Sequence, residues 1–199
     1  MEKRIIFVAI LLGLAAVVMA PAGSTLTSIT SASPAPPAPR PSPAAAGPCA
    51  DTSKRYIDCG NGTVTDTATG LIWLKQVDCF PSSDWDAAKK AAASLKTGDC
   101  GLNDGSKAGD WRLPTIAEWE ATMQKAKDLK CAGPVLTNDA GSECIRTGPS
   151  SFTGVESDYF WSSTMEGATV SFGDLDHGNL LKGNSINSLR VWPVRGGKG

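Results

Sequence analysis

Apolar positions along this chain change period repeatedly, and each change predicts an element. Residues 61–76 (NGTVTDTATGLIWLKQ) alternate around Val64, turn through Asp66 to Gly70, and then place Leu71, Ile72, Trp73 and Leu74 in one run. That pattern predicts a β-hairpin with a largely buried second strand, with Gly70 supplying the positive φ of the turn. Residues 82–96 (SSDWDAAKKAAASLK) switch to a helical period: Trp85, Ala88, Ala92 and Leu95 share one face, and Ser83 with Asp86 resembles a capping-box start. In AGDWRLPTIAEW (108–119), Leu113 precedes a proline and is pushed out of the α region, so Trp111 to Leu113 reads as a short extended piece. Thr115 is then an N-cap with Glu118 at its third position, opening a second helix whose apolar stripe is Ile116, Trp119, Met123 and Ala126. Cys131 to Pro149 is loop-like. Three β-prone runs follow, 158–164 (DYFWSST), 168–172 (ATVSF) and 188–195 (SLRVWPVR), with Pro193 expected at an edge or bulge because it cannot donate to a ladder. Together these elements predict an α+β domain, a twisted, mainly antiparallel sheet carrying two helices and disulfide-stapled loops. Trp73, Trp85, Trp111, Trp119, Trp161 and Trp192 are its expected core, and Arg112 is expected to pair with a carboxylate or to cap carbonyls.

The amino-terminal pattern has a different meaning. Lys3 and Arg4 precede an unbroken apolar run from Ile5 to Ala20 and a small-residue site ending at Ala22, the layout of a secretory signal over residues 1–22; left uncut, the same run would be a membrane anchor. Residues 23–48 are nearly all Ser, Thr, Ala and Pro, with one charge at Arg40, and bury too little apolar surface to fold; they predict an extended tether. Residues 49–199 have the size of one ordinary domain. Export to a secreted, periplasmic or cell-surface location makes the even set of six cysteines a disulfide framework. Six cysteines allow 15 connectivities. The spacing favours neighbours, 49 with 59, 79 with 100, and 131 with 144. Zinc is disfavoured, since there is no Cys-x-x-Cys pair and one histidine, His177.

Charge narrows the function further. Removal of the signal would leave 17 basic and 19 acidic residues, which argues against a whole-domain nucleic-acid footprint. The last acidic residue is Asp176, and Lys182, Arg190, Arg195 and Lys198 follow it, so the carboxyl-terminal part reads as a solvated face or a weak anion-binding patch. Asp99, Asn103, Asp104 and Asp110 offer oxygen ligands for calcium without EF-hand spacing, and turn chemistry accounts for the same residues; no cofactor is expected. His177, in GDLDHGN (173–179), and the serines of FWSST form no recognisable catalytic set, so no enzyme is expected.

The ordered set NGTVTDTATGLIWLK, CGLNDGSKAGDWRLPTIAEW, FWSST and RVWPVRGG resembles the Lcl C-terminal domain family, named after a bacterial collagen-like adhesin, over about residues 56–197. The W-R-L-P, W-S-S-T and closing V-R pattern is also similar to the C-type-lectin-like fold shared by formylglycine-generating enzymes. The resemblance implies that fold, with the ends of the domain close together and strand 63–66 near strand 189–195. It implies extracytoplasmic display and, for the adhesin itself, binding to sulfated polysaccharides and self-association as a trimer. Two features differ: there is no collagen-like Gly-x-y stalk, and no cysteine lies after Cys144 to support formylglycine chemistry. The expectation is therefore an adhesin-like binding module for a polysaccharide or surface protein. Its ligand surface is expected on the carboxyl-terminal loops at Asp174, Asp176, His177, Asn179, Lys182 and Asn184, with Arg190 and Arg195. The alternatives are a structural envelope domain without a small ligand and, behind it, an enzyme related to formylglycine-generating proteins.

Overall fold

Indole rings organise the interior. The computed structural model describes Cys49 and residues 52–196, which fall in one compact unit; the expected signal, the tether and Lys198 lie outside the described residues. Strands β1 (Tyr56–Asp58), β2 (Thr63–Asp66) and β3 (Leu71–Leu74) are followed by helices α1 (Trp85–Ser94) and α2 (Ile116–Asp128). Next come strands β4 (Tyr159–Glu166), β5 (Thr169–Asp174), β6 (Asn179–Gly183) and β7 (Val194–Gly196). The predicted hairpin is β2–β3, paired Val64 to Trp73, with Gly70 at φ 76° in its turn. The predicted loop 131–149 is irregular apart from a single 3₁₀ turn, Ile145–Thr147. No helix among the described residues is long and apolar enough to cross a membrane.

The single sheet expected from the sequence is two antiparallel sheets, one ordered β1-β2-β3-β7 and one ordered β4-β5-β6. The reason lies in 188–195. Its first part serves the second sheet, with Arg190 bridging Phe160, and its last part serves the first, with Val194 pairing Trp73. Between them Pro193 has no N–H to continue a ladder, although its carbonyl accepts from Leu74. The closing strand also pairs with β3, so β3 separates strand 63–66 from it.

The three-stranded sheet lies between the helices. In register, Trp161, Phe172 and Leu181 face the cluster of Trp85, Ala88 and Ala92 from α1. The adjacent row, Phe160, Gly173 and Leu180, turns to the other side, where a Cβ on Gly173 would stand 3.1 Å from the Trp119 ring of α2. Trp73, Trp119 and Trp192 then join this layer to the four-stranded sheet through ring contacts of 4.7 to 5.9 Å. All six tryptophans are buried. Four of them donate their indole N–H to main-chain carbonyls: Trp85 to Ser162, Trp119 to Trp161, Trp161 to Ser83 and Trp192 to Leu74. Each bond ties one element to another while satisfying a buried donor.

Helix α2 starts as expected. Thr115 Oγ1 accepts from the Glu118 N–H at 3.2 Å and the Glu118 carboxylate accepts from the Thr115 N–H at 2.7 Å. Its buried stripe is Trp119, Thr122, Met123 and Ala126, with Ile116 only partly covered. Helix α1 corrects the expected cap: Asp84 is the N-cap, accepting from the Ala87 N–H at 2.9 Å. Ser83 exchanges both main-chain bonds with Leu189 at 3.1 Å, and that bridge holds it in extended structure one residue before the cap. Disulfides join Cys49 to Cys59, Cys79 to Cys100 and Cys131 to Cys144, the neighbour pairing.

Candidate functional site

The segment 172–187, read from sequence as recognition loops, is half β-structure: the end of β5, a tight turn, β6 and a short loop after it. The turn is organised by Asp174. Its buried carboxylate accepts from the N–H groups of Asp176 at 2.9 Å and His177 at 3.1 Å, and from Asn179 Nδ2 at 3.3 Å. It also faces His177 Nδ1 at 3.2 Å. These contacts engage the Asp174 oxygens within the turn, so its role is positional. What it positions is exposed: His177 at 64% and Asp176 at 51%. The turn is supported from behind, since Val135 N–H donates to Leu175 C=O at 2.7 Å and Gly178 backs onto Lys127 and Val135.

Lys182 and Asn184 lie toward the other end of β6. Asn184 Oδ1 accepts from the Ile186 N–H, shaping the loop that carries Ile186, and Ser185 C=O accepts from the Trp85 N–H at the start of α1. Arg190 lies beside β4 and Arg195 in the other sheet, so the structure does not gather the eight expected residues into one surface. It assembles Asp174, Asp176, His177 and Asn179 at one end of β6, with Lys182 and Asn184 further along.

Among the described residues, the three basic side chains after Asp176 are paired with acids. Lys182 pairs with Glu166 at 2.6 Å, Arg190 with Glu156 and with Asp158 at 2.8 Å, and Arg195 with Asp104 at 2.9 Å. The hydrogen bond from Arg190 to Asp158, with the nearby Glu156 charge, raises the guanidinium pKa. Every acid concerned precedes its cation in sequence, so a count along the chain could not show this. Three of the calcium candidates are engaged in local turns and the fourth in a distant main-chain bond. Asp99 accepts from Lys96, Asp104 from Ser106, and Asp110 from the Lys107 N–H, while the Asn103 N–H donates to Asn61 C=O.

Sequence reasoning missed the apolar part of this surface. The exposed large apolar side chains among the described residues are Tyr159, Met165, Leu180 and Ile186, all in or next to the three-stranded sheet. Tyr159 shares a cross-strand row with Asp174 and Asn179, and its ring meets Phe172 edge-on at 5.7 Å. The run Leu180-Leu181 just after a glycine turn was the signal available for β6. β6 ends its sheet, with a partner strand on one side only.

The family model for the Lcl C-terminal domain matches residues 62–195. The chain belongs to the Lcl C-terminal domain family. The match spans β2 through most of β7 and so includes both helices, both sheets and the Asp174 turn. Comparison with curated proteins finds no match for the chain.

Proposed function

We propose that this Lcl C-terminal domain is a binding module working outside the cytoplasm, and that its ligand is a protein contacted by β6, the Asp174–Gly178 turn and the Ile186 loop. The observation that carries this reading is that Leu180 of the edge strand β6 and Ile186 of the loop after it are exposed, with His177, Asn179 and Lys182 along the same edge. Exposed apolar side chains beside polar ones are a feature of protein contact surfaces. An edge strand adds main-chain groups that a partner strand can pair with. Three disulfides and a tryptophan core supply the rigid support that such a surface needs. Entry through β1–β3 and exit through β7 in one sheet is the arrangement expected of a lectin-like scaffold. Pairing of Lys182, Arg190 and Arg195 with carboxylates counts against a sulfated polysaccharide as the main ligand. A binding role in place of catalysis is supported by the serines of FWSST, because Ser162 Oγ donates to Ser171 C=O and Ser163 Oγ to Pro114 C=O, not to the imidazole of His177.

The test passes the purified, oxidised chain over immobilised collagen, fibronectin and laminin, and over sulfated, acidic and neutral glycans, at low and high salt. Salt-tolerant binding to a protein, lost in Leu180→Lys and Ile186→Lys variants of unchanged stability, supports the proposal. Salt-sensitive binding to sulfated chains, lost when Lys182, Arg190 and Arg195 are neutralised, would return the ligand to a polyanion. Silence across both panels favours a structural envelope role.

A further inference from the structure

A second feature lies beside β1, an outer strand of the four-stranded sheet. A cleft of about 440 Å³ is lined there by Lys54, Tyr56, Asp58, Asp139, Ser150 and Ser151, within the size range of small-ligand sites. Its lining is mostly polar. Residues 55, 57 and 59 turn their main-chain groups toward β2, as the Thr67 N–H to Arg55 C=O bond and the Cys59 N–H to Thr63 C=O bond show. The groups of Tyr56 and Asp58 therefore face outward. The Tyr56 N–H donates to Asp139 C=O at 3.0 Å, whereas among the described residues nothing bonds to the Asp58 N–H or the Tyr56 C=O. Asp139 is buried, and its carboxylate is held in place by the Ser151 N–H at 2.6 Å and Ser151 Oγ at 2.9 Å. Among the described residues the Lys54 ammonium has no hydrogen-bond or ion-pair partner.

We infer that this cleft binds a neutral, hydroxyl-rich ligand, a sugar ring or short neutral saccharide. Donors (the Lys54 ammonium and the Asp58 N–H) stand among acceptors (the Asp139 carboxylate, the Ser151 hydroxyl oxygen and the Tyr56 C=O). A sugar hydroxyl, which donates and accepts at once, matches that mixture. Charge selects against anions: the lining holds one cation, Lys54, and two carboxylates, Asp139 and Asp58, the latter paired to Lys75 at 2.6 Å, so a sulfated or carboxylated sugar meets no net positive field. An extended peptide is disfavoured because Asp139 C=O already occupies the Tyr56 N–H, which stops a strand ladder after two groups. Each such hydrogen bond replaces one to water and contributes little net, so binding is expected to be weak. The inference is independent of the protein-contact surface, which lies on the other sheet.

The experiment is a ¹H–¹⁵N titration of the oxidised full chain with lactose, cellobiose and diacetylchitobiose, with glycerol and a sulfated heparin disaccharide alongside. The expected result is saturable shifts at the Asp58, Ser150 and Ser151 amides with at least one neutral sugar. Removing the exposed charged donor in Lys54→Ala should weaken this binding about tenfold, and Ser150→Trp, which fills the cleft, should abolish it while the remaining amide spectrum is preserved. No shift at these amides with any neutral sugar overturns the inference. So do equal shifts with glycerol, preference for the sulfated disaccharide, or shifts confined to Asp176–Asn179, and the last of these would still leave the β6 surface as a binding site.

Discussion

Glu118 offers the sharpest quantitative test of the fold, because one carboxylate serves a helix start and a tertiary pair together. It accepts from Arg112 Nη1 and Nη2 at 2.7 Å each and from the Thr115 N–H at 2.7 Å, and Arg112 also donates to Gly196 C=O at 3.1 Å. Loss of a cap interaction costs about 1 kcal/mol. A buried bidentate charge pair would add about 1.5–3 kcal/mol. Here the side chains of Arg112 and Glu118 are 41% and 22% exposed, so solvent screening reduces that part to about 1 kcal/mol. Glu118→Ala should therefore destabilise by about 2 kcal/mol. Glu118→Gln should cost about half as much, since its amide oxygen can still accept from the Thr115 N–H while the charge is lost. Urea unfolding with disulfides intact measures both, and a shifted midpoint at constant m-value is the expected signature. A Glu118→Ala variant within about 0.5 kcal/mol of wild type, or a Gln variant as costly as Ala, would refute the double role of the carboxylate.

Further tests follow from the same geometry. Burial alone would raise the Glu118 carboxyl pKa, but bonds from Arg112 and Thr115 outweigh it and hold the value below the ordinary one; at Asp58, bonds from Lys75 and Gly60 outweigh burial in the same way. Both groups thus contribute stability that is fully present above the unfolded carboxyl pKa, about 4.3 for Glu, and is lost as pH falls through the lower folded value. Stability measured from pH 6 to pH 2.5 (roughly the span that brackets these groups) should fall, with a shallower slope in Glu118→Gln; equal slopes would reject the linkage. Gly173→Ala should cost about 1–3 kcal/mol, because the new Cβ would stand 3.1 Å from the Trp119 ring, which is pinned by its bond to Trp161 C=O; an unchanged urea midpoint would show that the ring can yield. Asp84→Ala should cost about 1 kcal/mol and Ser83→Ala close to nothing, a contrast in thermal midpoints that reverses if Ser83 is the cap. Replacing both Cys131 and Cys144 with serine opens a loop of sequence separation 13 and should cost about 3 kcal/mol, and undiminished stability would mean that the loop is held by its other contacts.

Local chemistry was legible in the sequence because its partners are near neighbours along the chain. The Thr115–Glu118 box, the turn at Gly70, the neighbour disulfides and the tryptophan stripes of both helices depend on residues a few to about twenty positions apart, with φ, period and spacing as their signals. Even there, one error shows the limit. Ser83 and Asp84 are both good caps, and the choice was made by Leu189, more than a hundred residues away, which holds Ser83 in an extended bridge. Tertiary structure alone decided the division into two sheets, the pairing of β7 with β3 and the fate of charge. Arg195 meets Asp104 and Arg190 meets Glu156 and Asp158 only after the chain has folded back, so an apparent basic patch becomes a set of ion pairs. The same holds for the surfaces proposed to bind. Lys54 and Ser151 line one cleft across nearly a hundred residues of chain, and β6 is an edge because β5 covers only one of its sides. Sequence determines which groups want burial, a cap or a turn. Which of them are left facing solvent together is a property of long-range packing, because exposure is whatever the rest of the chain does not cover.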